Sequence, residues 1–181
     1  NFVSNCLGQP SIHSPFLKNP NGSIDDLKKG KIYKLCIHNQ SKEYNHLYNF
    51  GKEIIERSEK VILLDRKNKK EQSESLVYRK VRYGDDHSQY HTKEYYDERY
   101  LDQSRITNSV FHYSEHSTAI RQLSDTFGLP IWYYEDIFGG DDKVIQSLCD
   151  YHRIPYNQSY YIRYLHPDLK ERLIQKNETL I

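Results

Sequence analysis

A chain of 181 residues has the length of one ordinary domain, and its 36% hydrophobic content is enough for a core. It holds no apolar run near the ~20 residues that span a bilayer, and no basic start leading into an apolar stretch. Its 26 basic and 25 acidic side chains leave a formal net charge of +1, which excludes a broad nucleic-acid surface but allows a local anion site. Contact with nucleic acid or with a membrane is therefore not expected of this segment. Cys6, Cys36 and Cys149 are far apart and lack CxxC spacing. They read as reduced thiols, which points to the cytoplasm.

The elements follow in chain order. Asn1 to Gly8 reads as a helix stopped by Gly8, and Gln9 to Gly30 as a loop rich in Pro, Asn and Gly. Lys31 to His38 is short, β-prone and alternating, which predicts a strand. From Tyr44 to Arg57, Leu47, Phe50, Ile54 and Ile55 fall at helical spacing. Val61 to Leu64 is a continuous apolar run, the pattern of a parallel strand covered on both faces. The polar stretch Asn68 to Arg79 predicts a helix, with Asn68 and Glu71 spaced as a capping box.

Arg82 to His91 has no period and reads as a loop. Helices follow through Tyr95 to Phe127, with Ile106, Val110, Tyr113, Ile120, Leu123 and Phe127 facing the core; Gly128 and Pro130 stop the last one. Ile131 to Tyr134 is a third strand, and Asp141 to His152 a helix with Val144, Ile145 and Leu148 inward. The tail to Ile181 is expected to hold a short helix after Pro167. Strands alternating with helices imply an α/β domain with a parallel sheet and right-handed crossovers.

Ligands of open parallel sheets bind beyond the carboxyl ends of the strands. Three sites stand at such ends: His38 with Asn39, Asp65 with Arg66, and Glu135 with Asp136. At the second, Arg66 leaves a buried strand and a helix carrying Ser73 and Ser75 follows. A guanidinium fork there suits a phosphate, and a helical hydroxyl can complete the grip. Lys67, Lys69 and Lys70 add charge at a helix start whose amides also favour an anion.

This stretch resembles the sulfotransferases that use 3′-phosphoadenosine 5′-phosphosulfate (PAPS). In that family a buried strand ends in Arg and a later helical Ser joins it on the 3′-phosphate. Arg66 and Ser75 match, nine positions apart, with Lys67 in place of a second Arg and Ser73 as the competing register. Ile131-Trp-Tyr-Tyr-Glu-Asp-Ile137 is similar to a late strand end of the same family. The resemblance covers Lys31 to Arg153. It implies a three-layer, P-loop-like fold and transfer of a sulfuryl group from PAPS to a hydroxyl or amine of a small-molecule or glycan acceptor, without a metal.

The family's Gly/Ser-rich phosphosulfate loop has no match here. The chain contains no Met, so Asn1 to Ile181 is expected to be a single domain lacking its first strand and that loop. The resemblance also sets Lys34 and His38 beside the transferring group. An imidazole titrates near neutrality and suits removal of the acceptor's proton. Alternation places Lys34, Cys36 and His38 on one strand face. His38 reads equally well as a histidine bonded to a loop carbonyl.

His87 and His91 stand four apart beside Asp85 and Asp86, but no Cys or Glu completes a structural zinc set, so this stretch reads as an acceptor-facing lid or a solvated loop. Glu135 and Asp136, adjacent on a strand, would point to opposite faces and serve the following turn. A non-catalytic module of the same fold that recognises a sulfated or phosphorylated partner is the alternative. A nucleotide kinase is disfavoured because GxxxxGK[ST] does not occur.

Overall fold

The computed structural model describes residues 2–13, 23–35, 46–83, 102–139 and 142–162. They form α1 (Phe2–Cys6), β1 (Ser11–His13), a 3-10 turn (Ile24–Asp26), β2 (Ile32–Lys34), α2 (Leu47–Arg57), β3 (Leu63–Asp65), α3 (Lys69–Tyr83) and α4 (Gln103–Phe127). After these come β4 (Ile131–Tyr133), α5 (Tyr134–Ile137), α6 (Asp142–His152) and α7 (Gln158–Ile162). The chain divides into two compact units, one of Asn1–Asp65 with Ala119–Ile181 and one of Arg66–Thr118.

The first unit is mixed α/β. Its strands form two separate parallel pairs, with Ser11 opposite Ile32 in one and Leu63 opposite Ile131 in the other. β1 falls inside the stretch expected to be loop. Three residues after Pro10 are too few to show a period, and only the pairing with β2 makes them a strand. The apolar run ending at Leu64 is not covered on both faces: Leu63 is buried while Leu64 is 53% exposed. A continuous apolar run permits two-sided burial but does not supply the second layer.

The larger core gathers around α6. Ile137, Ile145, Leu148, Cys149, Ile154 and Tyr161 are buried together, with Val3, Ile62 and Trp132 packed against them. Each buried aliphatic side chain contributes on the order of 2 kcal/mol. The Tyr161 hydroxyl donates to the Ile137 carbonyl, so the tyrosine is fully buried without an unmet donor. A smaller cluster packs Phe50 and Ile54 of α2 on Ile24, Leu27 and Leu35. Gly51 permits a close helix approach: a Cβ there would overlap Leu123 Cδ1, and Leu123 is itself buried.

Three helices of this unit end in the same hydrogen-bonded stop. After α1, Gly8 has φ 62°, its N–H bonds Asn5 O at 3.2 Å, and Gln9 N–H bonds Ser4 O at 3.0 Å. After α4, Gly128 has φ 64° and Leu129 N–H bonds Ser124 O at 3.2 Å. After α6 the left-handed position falls to Arg153, φ 52°, with Arg153 N–H on Asp150 O at 3.1 Å and Ile154 N–H on Cys149 O at 2.8 Å. The glycine stops were readable because only Gly takes positive φ without strain. Arg153 was not, since its residue type does not favour that conformation; Ile154 beside it is buried in the core.

The second unit contains α3 and the first part of α4. Val77 and Ile106 are its buried aliphatic side chains among the described residues, and Ser73 and Ser117 are buried with them. α4 starts on Asp102, whose Oδ1 accepts from Ser104 N–H at 3.0 Å and Arg105 N–H at 3.1 Å. Among the described residues 102–127 it is one continuous helix. The expected helix start at Tyr95, the rest of the 84–101 loop and the tail helix after Pro167 lie outside the described residues.

Candidate anion-binding segment

Arg66 follows β3 directly and is half-buried. The chain then turns through Lys67 and Asn68 into α3. Asn68 fixes the helix start, its Oδ1 accepting from Glu71 N–H at 3.0 Å and its Nδ2 donating to Glu71 Oε2 at 3.3 Å. The spacing expected of a capping box is thus met by the bond from the Glu71 amide to the Asn68 side chain, and a further bond joins the two side chains. Asn carries an amide donor that Ser and Thr lack, and that donor takes the carboxylate.

Within the same turn Lys69 Nζ donates to the Arg66 carbonyl, so one lysine braces the turn that leads into the helix. Lys70 lies 3.7 Å from Glu74, an exposed pair of small energetic weight. Lys67 is exposed. The cations nearest Arg66 in sequence are thus divided between holding the turn and facing solvent.

The two candidate serines occupy different sides of α3. At 3.6 residues per turn, Ser73 and Ser75 are roughly 200° apart around the axis, so a single ligand cannot engage both from one side. Ser73 is fully buried, in line with Val77 one turn later, which is also buried. Its Oγ has no hydrogen-bond partner among the described residues, and neither has the buried Oε1 of Gln72. Ser75 is half-buried. The packed face therefore belongs to Ser73 and the more accessible hydroxyl to Ser75.

Lys34 is the last residue of β2, exposed and opposite His13 of β1. The strand ends there, and Cys36 and His38, which were to share its face, lie outside the described residues. His87 and His91 do too. Arg66, Lys67, Ser73 and Ser75 belong to the second unit and Lys34 to the first.

Glu135 and Asp136 are not on a strand. β4 stops at Tyr133, and Tyr134 to Ile137 form a helical turn with both carboxylates in it. The turn closes tightly: a Cβ on Gly139 would stand 2.6 Å from the Glu135 carbonyl oxygen.

Sequence reasoning passed over a part-buried polar pair in the first unit. Trp132 Nε1 donates to His152 Nε2 at 3.2 Å, and His152 is buried at the end of α6. Burial, with Lys60 adding repulsion, holds its pKa below the usual imidazole value, so the ring is the neutral acceptor that Trp132 needs. Burial pushes the Cys149 thiol up to about 11 and raises Cys6 as well, which leaves both as thiols rather than nucleophiles at neutral pH. Neither the tryptophan nor the histidine carried a spacing signal, because the contact spans 20 positions.

A groove along α2 is lined by Asn49, Lys52, Glu53 and Glu56, an open polar face on which Lys52 and Glu56 pair at 3.8 Å. Among the described residues no group of three or more His, Cys, Asp or Glu is arranged to hold a metal ion, and no helix is long and apolar enough to cross a membrane. Comparison with family models, with curated proteins and with solved structures finds no match for this chain.

Proposed function

We propose that this chain is part of a cytoplasmic PAPS-dependent sulfotransferase with the three-layer, P-loop-like sulfotransferase architecture. One observation carries the reading. Arg66 stands half-buried between a parallel strand and a helix whose start is fixed by the Asn68 side chain. A guanidinium so placed offers a planar fork to a phosphate, and the helix end adds favourable partial charge. Arg66 and Lys67 hold the 3′-phosphate of the donor, and the accessibility of Ser75 favours it over Ser73 as the hydroxyl that joins them.

In the transfer step the acceptor oxygen or nitrogen attacks sulfur in line as the bond to the donor's bridging oxygen breaks. The sulfuryl group passes to the acceptor, and 3′,5′-adenosine bisphosphate leaves with that bond's electron pair. His38 takes the acceptor's proton, and Lys34 compensates charge on the sulfonate oxygens. The chemistry calls for no metal, because the transferred group carries less charge than a phosphoryl. The acceptor is a small molecule or a glycan.

Calorimetric titration with 3′,5′-adenosine bisphosphate tests the site, and binding that Arg66→Ala weakens by roughly 10- to 100-fold is the expected result. Unchanged binding in Arg66→Ala, or none in the parent, overturns it. Binding without transfer to any acceptor in a screen with labelled PAPS returns the protein to the non-catalytic alternative.

A further inference from the structure

Helix α4 presents His112-Tyr-Ser-Glu-His116, two imidazoles one turn apart with a carboxylate between them. Residues four apart on a helix are neighbours, with Cβ atoms roughly 5–6 Å apart, and two histidines at that spacing can chelate one ion. His112 is exposed, and its Nδ1 lies 3.4 Å from Glu115 Oε2. A carboxylate on one ring nitrogen orients the imidazole, the arrangement found behind metal-bound histidines. His116 is half-buried, and the Tyr113 ring meets it edge-on at 5.8 Å, which limits its rotation.

We propose that His112 and His116 form a two-imidazole site for a divalent transition metal of the Ni2+, Cu2+ or Zn2+ class. Glu115 orients His112, and water completes the coordination. The donor set decides the class: imidazole nitrogen suits these ions, whereas Mg2+ and Ca2+ require oxygen. Two protein ligands make the site open, able to take a further ligand from solvent or from a partner. The site lies on a different helix from the Arg66 segment and depends on no part of the sulfotransferase reading.

Ni2+ is the probe, since it spares the thiols that Cu2+ oxidises. Thermal unfolding of the full chain is followed at neutral pH with increasing Ni2+. Ion at a hundred times its Kd raises Tm by about 5–10 °C for a chain of this size. His112→Asn and His116→Asn each reduce the rise and the double variant removes it, with Tm in the absence of metal serving as the folding control. His87 and His91 have the same spacing in the sequence, and replacing both with Asn leaves the shift intact. No shift in the parent, a full shift in the His112/His116 double variant, or a shift that follows His87 and His91 overturns the proposal.

Discussion

Helices α3 and α4 begin alike and are built for different ends. Both start on a side-chain cap, Asn68 in one and Asp102 in the other, and both carry a buried serine. In α4 the Ser117 hydroxyl donates to the Tyr113 carbonyl at 3.0 Å, as Thr107, Ser114, Thr118 and Thr126 do to the carbonyls four residues back. In α3 the equally buried Ser73 hydroxyl has no such bond among the described residues. A helical hydroxyl that bonds its own backbone is spent on structure, and one that does not remains a cost to folding. α4 is thus satisfied within itself, while α3 follows an arginine and keeps polar groups unmet.

The sharpest way to break this contrast is at Arg66. Arg66→Ala is expected to weaken binding of 3′,5′-adenosine bisphosphate by roughly 10- to 100-fold, the worth of a charge-assisted pair. Ser117→Ala leaves that binding unchanged, and calorimetry on both variants makes the comparison. The helix starts come next. Asn68→Ala costs about 1 kcal/mol in denaturant unfolding, because the Glu71 amide loses its cap.

The serines should then differ in sign. Ser117→Ala destabilises by about 0.5–1.5 kcal/mol, whereas Ser73→Ala is neutral or stabilising by up to about 1 kcal/mol, since it removes a buried polar group with no bond to lose. Equal losses at both positions would erase the distinction between the helices.

The smallest effect separates the caps by pH. The Ser104 hydroxyl, with the Arg105 amide behind it, holds the Asp102 carboxyl below its ordinary 3.8. A depressed folded value means that the cap's contribution is fully present above about pH 4 and is lost as pH falls through the lowered pKa. Asn68 does not titrate. Acid unfolding followed in the parent and in Asp102→Asn should show the variant losing less stability below pH 4.

Much of this was legible in advance. Helix stops at Gly8 and Gly128, the α2 stripe through Phe50 and Ile54, and the strand centres at Tyr33, Leu64 and Trp132 were readable because periodicity and backbone freedom are local properties. In the candidate site, the order strand, arginine, capped helix was readable for the same reason. What separates Ser73 from Ser75 was not, because spacing assigns two hydroxyls to one helix without saying which side is packed. The His112–His116 pair has the same four-residue spacing in the sequence as His87–His91, and only the structure sets the Glu115 carboxylate beside His112.

By itself, then, the sequence determined the helix stops at Gly8 and Gly128, the helix start at Asn68 and which cations cluster after the strand at Leu63–Asp65, since such features depend on neighbours a few positions away; it did not show that the helix from Lys69 runs on to Tyr83 or that Gln158–Ile162 is helical. Tertiary structure alone decided that β1 exists, that Tyr134 bends into a helical turn, that Arg153 takes a glycine-like conformation and that Trp132 meets His152. Each of those depends on a partner or a packed core brought in by the fold. Short-range patterning carries no information about such partners until burial and hydrogen-bond satisfaction select them.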